Sequence, residues 1–210
     1  MPVTAPPSTA PHIGIPLRGR SSGFRRFSVA EYHRLIDIGM LTEDDDLELL
    51  DGHLVKKMTK GPTNETGIDL FREAVAALIG PGRMLRCQQA VTLASGEPEP
   101  DFAVVRGLPR TYRHSHPTPA DIDLFVEIAD SSLDTDREDK GALYAADSIP
   151  FYWIINLIDS VIEVYTDPDA TAEPPAYRTR TDYAPGVAVP LVLVLDGVTV
   201  ASIPVAELLP

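Results

Sequence analysis

Glu127 lies inside Leu124-Phe125-Val126-Glu127-Ile128-Ala129, an otherwise apolar run that reads as a central strand. An unpaired carboxylate in such surroundings carries a heavy desolvation cost. Two readings meet that cost: a basic partner neutralises Glu127, or the residue sits at the open edge of a site and binds a cation. Asp101 follows Pro100 at the start of a second predicted strand, Phe102-Ala103-Val104-Val105, and strand ends commonly feed ligand sites. Two carboxylates on neighbouring strands can share one hard divalent ion, which takes oxygen ligands and keeps several waters. One such water becomes a better nucleophile beside an ion that stabilises charge on phosphorus, so phosphodiester hydrolysis suits the pair.

Lys140 is the third element. It falls in a helix predicted over about 134–147, where four-residue spacing puts Asp136, Lys140 and Tyr144 on one face. The alternative is a solvent-exposed salt bridge between Asp136 and Lys140. Gly141, next to it, costs about 1 kcal/mol relative to alanine inside a helix and points to close approach by backbone or substrate. Glu48 precedes an Asp51-Gly52 turn with Leu47, Leu49 and Leu50 around it. It is either a further metal ligand or the polar face of a hairpin strand.

The elements that must position these residues follow from pattern. Residues 1–24 carry Pro2, Pro6, Pro7, Pro11 and Pro16 among Ser, Thr, Gly and Arg, a composition that predicts a disordered arm ahead of a single domain over 25–210. Ser28 and Glu31 form a capping box ahead of Tyr32, Leu35 and Ile36, and Gly39 ends that helix. Two extended runs about Asp51-Gly52 predict a hairpin. Asn64 is expected to cap a second helix through Ile68, Phe71, Val75 and Leu78, stopped by Gly80-Pro81-Gly82. Strands are expected over 84–93, 101–105, 123–129, 151–157 and 161–165, a loop over 167–186, and a last hairpin from 187–195 and 197–200 about Asp196-Gly197. Strands interleaved with helices predict an α/β fold with a mixed sheet flanked by helices. No internal repeat is present.

Composition limits the function classes. The chain has 210 residues, 44% hydrophobic and 23% charged, enough for one domain with a sizeable core. Cys87 is the only cysteine, so no intrachain disulfide or cysteine-rich zinc site is expected, and any metal uses oxygen or histidine ligands. No apolar stretch reaches membrane-spanning length and the N-terminus lacks a signal-peptide core, so a cytoplasmic location with no membrane partner is expected. The net charge of -13 opposes the broad basic surface of sequence-independent DNA binders. Basic residues are clustered locally, at Arg18, Arg20, Arg25 and Arg26, at Lys56, Lys57 and Lys60, and at Arg106, Arg110 and Arg113. Each cluster taken alone reads as a solvated face.

Several ordered blocks resemble the restriction-endonuclease-like Uma-two family, within the PD-(D/E)xK nuclease superfamily. They are Glu48-Leu49-Leu50-Asp51-Gly52, Glu97-Pro98-Glu99-Pro100-Asp101, Val126-Glu127-Ile128-Ala129-Asp130-Ser131-Ser132-Leu133, Asp136 through Lys140 to Tyr144-Ala145, and Ile149-Pro150-Phe151-Tyr152-Trp153-Ile154-Ile155. The resemblance spans about residues 28–205. It implies a nuclease-like fold, Asp101 and Glu127 holding Mg2+ or Mn2+, Lys140 orienting water or stabilising the phosphate, DNA as substrate and a homodimer. Two departures stand out. A Glu-x-Lys motif would put lysine at position 129, where this chain has Ala129, so the lysine function moves to the helix. Asn64 stands where the family often shows a histidine, so any catalytic help from that histidine is lost.

The resulting expectation is a metal-dependent endonuclease, with a nuclease-fold binding or assembly protein lacking turnover as the alternative. A glycosidase fits poorly, since only scattered Tyr residues and Trp153 could form a sugar platform.

Overall fold

In the computed structural model, which describes residues 24–193 and 198–210, the capping box at Ser28 forms as expected. Ser28 Oγ accepts the Glu31 N–H at 3.2 Å and Glu31 Oε2 accepts the Ser28 N–H at 3.0 Å, opening α1 (Val29–Asp37). Strands β1 (Leu47–Leu50) and β2 (His53–Lys56) pair antiparallel. Between them Asp51 and Gly52 have φ of 45° and 76°, the backbone of the tight turn that an Asp-Gly pair favours. The predicted arm over residues 1–24, apart from Phe24, lies outside the described residues, as do Arg18, Arg20 and the Asp196-Gly197 turn.

Helix α2 (Pro62–Val75) starts earlier than the pattern predicted. Gly61 is its N-cap and Pro62 its first residue, a place where proline loses no hydrogen bond. Asn64 therefore does not cap the helix. It lies buried within the first turn, and its Nδ2 donates to the Ile128 carbonyl at 2.5 Å. Leu78 falls beyond the helix and is 37% exposed, whereas Ile79 takes the buried position.

Six strands form the central sheet, in the order β3 (Arg83–Cys87), β4 (Phe102–Arg106), β5 (Ile122–Ala129), β6 (Phe151–Asn156), β7 (Val161–Asp169) and β8 (Ala176–Tyr183). Strands β5 and β6 are parallel and the other neighbours antiparallel, so the sheet is mixed as expected. The strand expected over 84–93 ends at Cys87, and Gln88, with φ of 51°, turns the chain out of the ladder. The loop expected over 167–186 is largely strand. β7 runs on to Asp169 and β8 pairs with it as the sheet edge. Its Arg178-Thr179-Arg180-Thr181-Asp182 side chains are exposed, so no apolar signal marked it, and polar residues are what protects an edge from pairing with other chains. A second hairpin, β9 (Ala188–Leu193) with β10 (Val198–Pro204), forms as predicted.

The crossover from β5 to β6 is helical: α3 (Leu133–Thr135), one π turn over Asp136–Lys140, and α4 (Gly141–Ala146). Alternation along β5 divides its side chains between two layers. Leu124, Val126 and Ile128 pack in one layer with Phe71 of α2, Trp153 of β6 and Val189 of the second hairpin. Phe125 and Ala129 face the crossover through Leu133, Leu143 and Tyr144. Phe71 pins the first layer, with its ring 4.7 Å from Phe102 and 6.4 Å from Trp153. Phe71→Ala should therefore cost about 3–5 kcal/mol in urea denaturation, and a loss under about 1 kcal/mol would show that α2 is not anchored there.

Candidate active site

Antiparallel pairing of β4 with β5 sets Phe102 opposite Val126, which brings Asp101, just before β4, beside Glu127. The Asp101 N–H points at Glu127 Oε2 at 3.4 Å, and Asp101 Oδ2 accepts the Ile128 N–H at 2.9 Å. Glu127 shares the face of Phe125 and Ala129, so it lies under the helical crossover and is 3% exposed. From that crossover Lys140 Nζ reaches Glu127 Oε1 at 3.0 Å and Asp136 Oδ1 at 3.5 Å. Tyr144 donates its hydroxyl to Glu127 Oε1 at 2.8 Å. The helix face predicted to carry Asp136, Lys140 and Tyr144 thus meets the carboxylate of the preceding strand.

The Asp136–Lys140 pair does form, but it is buried rather than solvent-exposed: Asp136 is 1% exposed and the Lys140 side chain 11%. The π turn here is the kind of local widening often found at functional sites. The Asp136 carbonyl accepts both the Gly141 N–H and, at 3.0 Å, the Tyr152 hydroxyl. No close approach of backbone to Gly141 is found. A Cβ built there would lie 3.4 Å from the Asp136 carbonyl oxygen and 3.9 Å from the Tyr152 ring, ordinary contact distances. Glu48 is buried and its Oε2 accepts the Glu99 N–H at 3.0 Å, while its charge acts on Glu127 and Lys140. Ala129 is buried in the layer under the crossover, as a position without a lysine requires.

Sequence reasoning left Lys60 in a generic basic cluster, yet its ammonium pairs with Asp101 Oδ1. The signal that could have found it is Gly61-Pro62, which marks a helix start and so places Lys60 just ahead of a helix that abuts β5. Lys57 pairs with Glu99 at 2.7 Å, and His33 with Glu97 at 2.7 Å.

A family model described as "Putative restriction endonuclease", Uma2, matches residues 29–202. The chain belongs to the Uma2 family. A crystal structure of "a putative nuclease belonging to DUF820 from Anabaena variabilis" shares the fold of this Uma2 protein, with a TM-score of 0.62, 14% identity, and coverage of 83% of this chain and 96% of that one. No curated protein matches. The mixed sheet with its helical crossover is thus a nuclease-like fold. Among the described residues no helix of the Uma2 chain is long and apolar enough to cross a membrane.

The electrostatics of the Uma2 site are lopsided. Glu48, Asp101, Glu127 and Asp136 are all buried, and Lys60 and Lys140 are the lysines that pair within this group. Two negative charges remain uncompensated when all four carboxylates ionise. Burial pushes the Glu127 carboxyl up to about 8, with Lys140 opposing and Asp136, Asp101 and Glu48 adding to the rise. Burial likewise raises Asp136. At Lys140 burial works to remove the proton, but Glu127, Glu48 and Asp136 outweigh it and hold the ammonium well above its ordinary range.

The donor set is hard oxygen and the missing charge equals that of one divalent cation, so these residues fit a Mg2+ or Mn2+ ion. Among the described residues no group of three or more His, Cys, Asp or Glu side chains is arranged to hold a metal ion. Magnesium needs no such group, since one or two carboxylates with water and substrate oxygens suffice.

A carboxyl raised in the fold stays protonated while the unfolded chain ionises near its ordinary 4.5. Stability without metal is therefore greatest below that value and falls as pH rises towards about 8. Glu127→Gln should flatten this fall in urea denaturation between pH 5 and 8, and an unchanged slope would show that Glu127 is not the buried acid responsible.

Proposed function

We propose that this protein is a divalent-metal-dependent endonuclease that hydrolyses DNA phosphodiester bonds with water as nucleophile. The observation that carries the reading is the convergence of Asp101, Glu127 and Lys140, from the start of one strand, the next strand and the crossover helix, in a buried cluster where carboxylates outnumber lysines. Asp101 and Glu127 are the residues that would hold Mg2+ or Mn2+, with Glu48 behind them. When bound, such an ion would supply Lewis acidity and positive charge to the reacting phosphate. Lys140, kept protonated by its acidic neighbours, acts as a hydrogen-bond donor to water or to a phosphate oxygen rather than as a base. Tyr144 fixes the Glu127 carboxylate through its hydroxyl, and the Ile128 N–H fixes that of Asp101. Hydrolysis would form one P–O bond to water as the bond to a sugar oxygen breaks; the water would lose a proton to solvent and the departing sugar oxygen would take one up from solvent to leave as a hydroxyl.

A second reading, a nuclease-fold binding or assembly protein without turnover, is favoured by the net charge of -13 and by Asn64. The Asn64 amide is spent on the Ile128 carbonyl, so it replaces a histidine without replacing its proton chemistry.

The two readings separate in a plasmid assay with Mg2+ or Mn2+. Wild type should nick or linearise supercoiled DNA, EDTA should stop it, and Asp101→Ala and Lys140→Ala should each lower the rate at least about a hundredfold. Equal cutting by wild type and both variants would remove the assigned site. No cutting by wild type, with no metal bound, would put the binding reading first.

A further inference from the structure

We propose that Lys60 is a DNA-phosphate ligand that is released by metal occupancy at Asp101, so that one ammonium couples cation binding to DNA binding. This deepens the nuclease reading above and rests on it. The two oxygens of Asp101 are unequal: Oδ2 is committed to the Ile128 N–H at 2.9 Å, whereas Oδ1 faces Lys60 and the Gln88 amide at 3.3 Å. Oδ1 is therefore the oxygen available to a cation, and the Lys60 ammonium stands at it.

The two lysines of the site differ in what they are free to do. Lys140 is locked between Glu127 and Asp136 on the π turn with an 11% exposed side chain. Lys60 rises from the irregular segment between β2 and α2 and has a 32% exposed side chain. A divalent ion on Oδ1 removes the attraction that holds Lys60 and replaces it with repulsion between like charges. The flexible four-carbon stem then carries the ammonium outward to the mouth of the site, where the anion to be met is the nucleic-acid backbone. In a chain of net charge -13 a cation freed beside the site matters more than it would on a basic surface. Coupling of this kind is reciprocal: DNA that engages Lys60 clears Oδ1 for the ion.

The test uses Ca2+, which takes oxygen ligands, and a fluorescein-labelled duplex. By calorimetry without DNA, Lys60→Ala should bind Ca2+ at least about fivefold tighter than wild type, because the ion no longer displaces an ammonium. Lys57→Ala, in the same segment but paired with Glu99, should leave Ca2+ affinity unchanged. By fluorescence anisotropy in Ca2+, Lys60→Ala should bind the duplex more weakly, with a slope of log affinity against log salt smaller by about 0.9. In EDTA the slopes of the variant and wild type should coincide, and Lys60→Arg should recover the wild-type slope in Ca2+. Tighter metal with weaker DNA in one variant cannot come from a damaged fold. If wild type binds Ca2+ and cuts DNA but Lys60→Ala matches it in both affinities, the Lys60 proposal alone is overturned. If wild type binds neither Ca2+ nor DNA, the nuclease reading falls and this one with it.

Discussion

The constraint that organises this molecule is a carboxylate, Glu127, sealed inside a sheet with Phe125 and Ala129 on the same face. A charge there has few ways to persist, and the surrounding elements supply each of them. The crossover helix returns Lys140 and Tyr144 to it. The neighbouring strand offers the Asp101 N–H. A raised pKa lets the group hold a proton when nothing else compensates it. The π turn over Asp136–Lys140 brings a second acid to the same ammonium, with the Tyr152 hydroxyl anchoring the turn through the Asp136 carbonyl. These features would be wasteful as scaffolding, because an apolar residue at 127 would fold more easily. They make sense around a site that must keep negative charge ready.

Net charge over the whole chain conceals this arrangement. Much of the surface charge is paired close to where it arises, as in Arg26 with Asp51, Arg178 with Asp169 and Arg180 with Asp182. Deeper pairs tie the sheet together. Asp123 holds Arg83 and Arg106 across three strands, and Glu163 gathers Arg137, Arg180 and Asn156. What distinguishes the Glu127 region from these is imbalance. Arg-rich networks neutralise Asp123 and Glu163, whereas the four acids of the site have two lysines. The local surplus, not the total, argues for a cation.

Much of the candidate site was legible in the sequence, since Glu127 in an apolar run, Pro100-Asp101 before a strand and Asp136/Lys140/Tyr144 at helical spacing are local patterns, and each residue lies where its pattern put it. The resemblance to Uma-two proteins added the order of the blocks, and the family match covers most of the same span. What stayed hidden was tertiary. Strand β8 carries no apolar alternation because it forms an edge, so its composition read as loop. Asn64 has the chemistry of a cap, but Gly61-Pro62 begins the helix earlier and a buried contact with Ile128 claims its side chain. Lys60 lies 41 residues from its partner Asp101, a distance no local pattern spans. At Gly141 the expected approach by backbone is absent, since a Cβ there would meet only ordinary contacts, and the π turn just before it is a feature that spacing rules do not anticipate.

The central claim is that Asp101 and Glu127 would hold a divalent cation within this cluster of buried carboxylates. Titration of the protein with Mn2+, followed by electron paramagnetic resonance of the free ion, tests it without requiring turnover. The account predicts one bound ion per chain in the wild type, with affinity rising as pH increases towards and beyond about 8 as Glu127 gives up its proton, and loss of that ion in Asp101→Asn. Wild type and Asp101→Asn leaving the same amount of Mn2+ free would contradict it.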